Sequence, residues 1–274
     1  MYSSKQLKKI STKMKILALQ GVYEAQSGHL GGSFSASDLV AALFFNHLRI
    51  DAKDTHAPDR DRFVLSKGHA APIYYAALAL KGFFDEAEMK NLRKIDSFLQ
   101  GHPSMNKTPG VDISSGSLGQ GLSTANGMAL AAGLDNKSYK VYCICGDGEI
   151  QEGQIWEAAM TAAHYKLSNV ILFVDCNKLQ IDGQVEDVMN SYPVADKFRA
   201  FGWNVSEIDG HDFDQINAAV ELAKKATNKP NAIICSTVKG KGVSFMENQA
   251  SWHGVAPNKE QYEIALKELE SELG

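Results

Sequence analysis

The sequence predicts an α/β protein, a parallel sheet with helices on both faces. Three observations carry that reading. In the second half of the chain, short apolar runs alternate with longer stretches of helical period. The apolar runs are continuous rather than alternating, as expected of strands buried on both faces. Clusters rich in Gly, Asp and Asn follow two of these runs, and a parallel sheet places its ligands outside the carboxyl ends of its strands.

Each element can be justified in order. The first 50 residues read as two helices separated by the break SGHLGGS. Leu7, Ile10, Met14, Leu17 and Val22 follow helical spacing, and the second helix opens at Ser35 or Ser37 and runs through DLVAALFFNHL. DRFVLS is a short strand. PIYYAALALKGFF is a helix with Pro72 in its first turn, where a missing N–H costs nothing. GQGLSTANGMALAAGL is a small-residue helix suited to close packing. Then follow KVYCIC (strand), EGQIWEAAMTAAHYK (helix), NVILFVD (strand), PVADKFRAFG (helix), WNVSEI (strand), FDQINAAVELAKKAT (helix) and NAIICSTV (strand). The last helix, KEQYEIALKELESEL, is amphipathic and reads as a solvated packing helix.

Composition narrows the function classes. The 274 residues suffice for one large domain, and 44% hydrophobic residues supply a full core. A net charge of −4 argues against nucleic acid or an acidic membrane surface as partner. The basic run KKISTKMK reads as a solvated helix face. No apolar run approaches a membrane span, and no signal peptide is evident. Cys143, Cys145, Cys176 and Cys235 fall in or beside predicted strands without metal-binding spacing; they read as reduced core thiols, which predicts a cytoplasmic location.

GDGEIQEGQIWEA (Gly146 to Ala158) and NKLQIDG (Asn177 to Gly183) are the most informative segments. Asp147 and Asn177 each follow a predicted strand. Two oxygen side chains at the ends of adjacent parallel strands can hold one hard divalent cation, and Mg2+ takes few protein ligands while sharing phosphate and water. Gly146 and Gly148 let the backbone approach a phosphate, and the helix opening near Ile150 points amides at it. Gly183 closes the second loop. A tight strand-to-helix turn would also explain GDG alone; the second oxygen ligand after the next strand favours a metal-bridged diphosphate.

Four of the eight histidines lie in Gly-rich loops: His29 in SGHLGGS, His69 in LSKGHAAP, His102 in QGHPSMNKTPG and His253 in SWHGVAP. Histidine can hydrogen-bond a sugar hydroxyl or a diphosphate oxygen and can move protons near neutral pH. His47, His56, His164 and His211 lack that context and read as structural. The loop GVDISSGSLGQGLS carries Gly116, Gly119 and Gly121, but its order G-x-x-G-x-G, with no strand before it, is not a dinucleotide fingerprint.

SGHLGGS, LSKGHA, GHP, GVDISSGSLGQG, GDGEIQEGQIWEA, NKLQIDG and WHG, in this order, resemble the transketolase family of thiamine diphosphate enzymes. The resemblance covers nearly the whole chain but only the amino-terminal half of a usual transketolase. It implies a thiamine diphosphate-binding fold, with residues 1–274 forming a single diphosphate-binding domain. It also implies residue roles. Asp147, Asn177 and the Leu179 carbonyl would bind Mg2+, or Ca2+ or Mn2+ in its place. Gly146, Gly148 and Glu149 would lie against the diphosphate, with His69 and His253 hydrogen-bonding it. Gly116 and Leu118 would contact the aminopyrimidine and Ile181 the thiazolium. His29, His102 and His253 would serve the reacting carbon and the sugar hydroxyls. Glu152 would couple paired sites across a dimer interface, and a helix N-terminal acid favoured by the dipole is compatible with that. Two positions depart from the family pattern: Ser117 stands where Pro is common, and Lys239, in TVKGKG, where transketolases usually carry an apolar residue, which makes that segment look more like the related deoxyxylulose phosphate synthases.

In this family a glutamate from a second, pyrimidine-binding domain completes the site, and no segment here provides that domain. The expectation is therefore the amino-terminal subunit of a split transketolase. It would work with a carboxy-terminal subunit, in a dimer of heterodimers, on sugar phosphates or related sugars. The initial Met and the terminal helix favour a natural subunit over a piece of a longer enzyme. The alternatives are a thiamine enzyme with another donor and a non-catalytic regulatory subunit.

Overall fold

The computed structural model describes residues 1–273. Five parallel strands form the sheet: β1 (Arg62–Leu65), β2 (Val141–Gly146), β3 (Val170–Cys176), β6 (Asn204–Asp209) and β7 (Asn231–Ser236), in the order β1-β2-β3-β7-β6. A small antiparallel hairpin, β4 (Leu179–Gln180) with β5 (Gly183–Gln184), follows β3. Every residue of β2 and β3 is buried, which explains their unbroken apolar sequence. Strand β6, at one edge, is exposed or half-buried throughout, and its sequence is correspondingly mixed.

The helices among the described residues are α1 (Ser4–Ala25), α2 (Leu30–Ser35), α3 (Ser37–Ala42), α4 (Ala71–Leu80), α5 (Gly121–Leu134), α6 (Gly153–His164), α7 (Val185–Met189), α8 (Val194–Ala200), α9 (Phe213–Lys224) and α10 (Lys259–Ser271). They cover both faces. On one face Tyr142, Ile144, Ile171 and Phe173 meet Leu7, Met14, Phe34, Tyr74 and Ile216. On the other, Val141, Cys143, Leu172 and Val174 meet Leu122, Ile155, Ala159 and Phe198. Alternate residues of one strand thus feed two separate cores. The four cysteines are free and buried. No described helix is long and apolar enough to cross a membrane.

Caps fix the ends of the outer helices. Ser3 and Gln6 form a reciprocal capping box at α1, Asn258 and Gln261 another at α10, and Asp212 accepts from Asp214 N and Gln215 N at α9. Each such cap contributes about 1 kcal/mol.

The amino-terminal region is more helical than its sequence suggests. Only Gln26 to His29 break the chain: Gln26 adopts a left-handed conformation and Gly28 has φ +152°. The remainder of SGHLGGS is already the first turn of α2. Burial decides this, since Leu30, Phe34 and both glycines are buried under the neighbouring elements. The next helix, α3, continues as a π-turn over Leu43–His47. Helix α4 stops at Leu80, short of the GFF that the helical pattern in the sequence includes. KKISTKMK is not uniformly solvated either: Lys15 is fully buried, facing Asp38.

Candidate functional site

Strands β2 and β3 pair in parallel with Gly146 opposite Asp175. Their carboxyl ends therefore carry Asp147 and Asn177 side by side. Both side chains are buried, and both line one cavity of about 220 Å³. Gly32, Lys67, His69, Leu118, Gly146, Gly148, Glu149, Glu152, Leu179, Ile181, Lys239 and His253 also form its wall.

The Asp147 carboxylate is held by three donors: Gly148 N–H at 2.9 Å on Oδ1, and Lys178 N–H at 2.6 Å with Tyr192 O–H at 3.0 Å on Oδ2. Burial, reinforced by nearby Asp175, raises its pKa to about 6. Asn177 Oδ1 accepts from Leu179 N–H at 3.1 Å, and its amide donates to Ser35 Oγ at 3.3 Å. Asp175 lies beneath, fully buried. It accepts from Lys67 Nζ at 2.5 Å, from Ser35 at 2.6 Å and from the Thr237 hydroxyl. Burial pushes its carboxyl up, but the Lys67 charge outweighs that and holds it below the usual range.

Two buried ammonium groups, Lys67 and Lys239, line the cavity. Lys67 Nζ also donates to Gly32 O at 2.9 Å. Lys239 Nζ bonds Leu179 O at 3.2 Å and His253 Nδ1 at 2.9 Å, and burial lowers its pKa to about 8. Because lysine only donates, His253 Nδ1 must accept, which leaves Nε2 to carry the proton. Burial and the Lys239 charge keep that imidazole neutral, with a pKa of about 3.

The four loop histidines converge. Ring centroids lie 5.0 Å apart for His69 and His253, 5.5 Å for His29 with each of these, and 6.3 Å for His29 and His102. His29 Nδ1 is buried and has no hydrogen-bond partner among the described residues. Burial, with Arg93 next, lowers its pKa to about 4, and burial pushes His69 and His102 down as well. The cluster is therefore a set of neutral rings at pH 7, each able to donate and accept. His211, away from it, spends Nδ1 on Asp38 at 2.8 Å and Nε2 on Val238 N–H at 2.9 Å, a structural role.

Not every residue reaches the cavity through its side chain. The Glu149 carboxylate turns inward, taking Gly119 N–H at 2.9 Å, Gly146 N–H at 3.0 Å and the Ser66 hydroxyl. It ties the Gly116–Gly121 loop to the GDG turn. Gly116, with φ +146°, packs against His102 beside the cavity rather than on its wall; a Cβ there would sit 3.2 Å from the imidazole. Glu152 is the residue before α6 and lies against Gly119. Leu118 and Ile181 are 40% and 69% exposed, so the rim of the cavity is apolar and open. Sequence reasoning missed Lys67, Asp175 and Tyr192. Only Lys67, two residues before His69 in LSKGHA, carries a signal, a charge in a Gly-flanked turn, and such a charge is easily taken as solvated. A wider, more open hollow of about 560 Å³ lies at the carboxyl ends of β6 and β7, where His211 is already committed.

The donor set suits a diphosphate bridged by a hard cation. Two buried ammonium groups and neutral imidazole N–H groups face the cavity, with one carboxylate and one amide oxygen beside them. Gly148 keeps its wall thin, for a Cβ there would meet Gln180 Oε1 at 3.1 Å. Among the described residues no three His, Cys, Asp or Glu side chains converge on a metal; an Asp, an Asn and a main-chain carbonyl are a different set, appropriate to Mg2+ shared with phosphate.

A parallel sheet with this constellation at its carboxyl edge defines a thiamine diphosphate-binding domain. Residues 6–273 match the family described as transketolase, thiamine diphosphate binding domain, and the chain belongs to the transketolase family. It is 47% identical over 256 residues to the 6-deoxy-6-sulfo-D-fructose transketolase subunit SqwG of Clostridium sp. (strain MSTE9), covering 93% of each chain. It is 40% identical to one subunit of the apulose-4-phosphate transketolase of Phocaeicola vulgatus, over 96% of this chain and 93% of that one. Human transketolase is 43% identical over 97% of this chain, which spans 42% of the human protein. The structure of Campylobacter jejuni transketolase superposes with a TM-score of 0.91 at 36% identity, over 98% of this chain and 43% of that one. The chain therefore matches split subunits along most of their length and single-chain transketolases along less than half of theirs.

Proposed function

We propose that this chain is the amino-terminal, cofactor-holding subunit of a split transketolase, a single diphosphate-binding domain over residues 1–274. The observation that carries the proposal is the cavity itself. Its floor is charged and buried, while its rim exposes Leu118 and Ile181, as a surface to be covered by a second subunit would. The full-length match to subunits named as parts of transketolases supports the same reading.

In this reading Asp147, Asn177 and the Leu179 carbonyl hold Mg2+, with Ca2+ or Mn2+ as substitutes. Lys239 yields its bond to Leu179 in doing so. The Gly146–Glu149 turn offers amides to the diphosphate, and His69 and His253 donate N–H to it. Gly116 and Leu118 receive the aminopyrimidine and Ile181 packs on the thiazolium. Thiamine diphosphate supplies the carbon nucleophile that cleaves and remakes the bond beside a carbonyl. His29, His102 and His253, neutral at pH 7, orient the sugar hydroxyls and move their protons. The carboxy-terminal subunit brings the pyrimidine pocket and its glutamate. Glu152 couples paired sites, and the working assembly is a dimer of heterodimers in the cytoplasm. The reaction moves a two-carbon ketol unit from a ketose to an aldose, with phosphorylated, sulfonated and branched sugars as the candidate class.

The test is two-carbon transfer from xylulose 5-phosphate to ribose 5-phosphate with thiamine diphosphate and Mg2+. It is run on the chain alone and with the polypeptide encoded beside it, then repeated with 6-deoxy-6-sulfofructose and apulose 4-phosphate as donors. Activity only in the mixture is expected. Full activity of the chain alone would refute the split site, and no transfer from any donor despite cofactor binding would refute the transketolase assignment of the activity.

A further inference from the structure

We propose that Tyr192 is a positioning residue for the divalent cation: its hydroxyl fixes which oxygen of Asp147 faces the metal. The inference rests on Asp147 being a metal ligand and adds a residue from a different part of the chain. Each carboxylate oxygen has two lone pairs in its plane. Asp147 Oδ2 is filled by Lys178 N–H at 2.6 Å and Tyr192 O–H at 3.0 Å, whereas Oδ1 takes only Gly148 N–H at 2.9 Å. One oxygen is saturated and the other keeps a lone pair for a cation. Among the described residues Tyr192 is the only side chain that donates to this carboxylate, so it is the only donor that a substitution can remove cleanly.

The hydroxyl cannot swing freely. The Tyr192 ring packs against the core formed by β2, β3 and their covering helices. The segment around it, Met189 to Pro193, is pinned on both sides. Gln151 Nε2 donates to Met189 O at 2.6 Å, Ser191 Oγ donates to Asp147 O at 3.0 Å, and Lys197 Nζ donates to Ser191 O at 2.8 Å. This strap therefore delivers the phenol to Asp147 from across the cavity wall. Groups that orient a ligand in this way typically change metal affinity by 10- to 100-fold.

The experiment is a calorimetric titration of Mg2+ into the chain assembled with its partner subunit, with thiamine diphosphate at saturation. Tyr192→Phe removes one oxygen and keeps the ring. It is expected to weaken Mg2+ by roughly 10-fold while the melting temperature of the metal-free protein is unchanged. Ser191→Ala removes one of the three bonds that pin the strap but keeps the phenol, and is expected to weaken Mg2+ clearly less than Tyr192→Phe does. Equal Mg2+ affinity in Tyr192→Phe and wild type, with binding lost in Asp147→Ala, would overturn the role of Tyr192 and leave the metal site standing. Equal weakening by Ser191→Ala and Tyr192→Phe would also overturn it, by assigning the effect to the strap. If Asp147→Ala binds Mg2+ as the wild type does, the metal reading of Asp147 falls and takes this inference with it.

Discussion

Lys67 and Lys15 are both buried lysines facing a buried aspartate, yet their surroundings differ. Lys67, on the cavity wall, donates to Asp175 and to Gly32 O, and Asp175 is further held by Ser35 and Thr237. Lys15, on α1 away from the cavity, makes no hydrogen bond among the described residues. Ser11 Oγ and Asp38 Oδ1 beside it are also unpartnered. Asp38 is nonetheless charged: burial pushes its carboxyl up, but Lys15 and His211 outweigh that and hold it well below the usual range. Burial lowers Lys15 in turn. Hydrogen bonds fix both charges beside the candidate site in place, whereas in the remote couple only Asp38 is hydrogen-bonded, by His211, and Coulomb attraction alone links Lys15 to it. An array whose donors and acceptors are already paired has little reorganising to do when an anion arrives, which is how preorganised sites gain their electrostatic strength.

The sharpest way to break this contrast is Lys67→Met. It would leave Asp175 as an uncompensated buried charge with only neutral donors, and removing one partner of such a pair costs about 3–5 kcal/mol. Urea unfolding of the variant should show a loss of that size. A loss under about 1 kcal/mol would mean that Ser35 and Thr237 alone satisfy the carboxylate. Lys15→Met is the matched substitution. No hydrogen bond is lost, Asp38 keeps His211, and an apolar chain of similar length refills the space. The expected loss is smaller, about 1–3 kcal/mol, because Asp38 loses a buried counter-charge but keeps the hydrogen bond to His211. A larger loss in Lys15→Met than in Lys67→Met would reverse the comparison.

The same contrast explains what can be read from the sequence. The central strands KVYCIC, NVILFVD and NAIICSTV are legible because strands buried on both faces have no polar alternation to confuse them. GDG and NKLQIDG are legible as the ends of two such strands, and β2 and β3 are indeed adjacent and parallel. The helical turn over Leu30–Ser35 is not, because glycine and serine disfavour a helix locally and only tertiary burial imposes one. Lys15 escapes notice for a related reason: a lysine in a basic run looks solvated, and only the fold brings Asp38 to it. Asp175 is hidden inside an apolar run, and Tyr192 is far in sequence from the Asp147 it touches. Long-range polar contacts leave no periodicity.

The smallest effect expected concerns the histidines, which repeat the contrast among neutral groups. His253 has its Nδ1 engaged by Lys239, whereas His29 Nδ1 is unpaired. His29 faces Arg93, His102 and Lys239, with His69 and His253 across from it, and no carboxylate is among the groups that shift it. Its folded pKa of about 4 lies below the ordinary 6.5. Between those values the unfolded chain binds the extra proton, so this histidine's contribution to stability is lost as pH falls from about 6.5 toward 4. Removing the titrating ring removes that loss. His29→Gln should therefore gain melting temperature relative to wild type as pH is lowered from 7 to 5, with little difference at pH 7, where no hydrogen bond of Nδ1 is sacrificed. His253→Gln should show the same relative gain on acidification but begin from a deficit at pH 7, because Lys239 loses an acceptor. Melting curves of the three proteins at pH 7, 6 and 5 would separate the two. Parallel pH profiles for His29→Gln and wild type would show that acid enters the cluster without cost, and that these rings are not held neutral by burial.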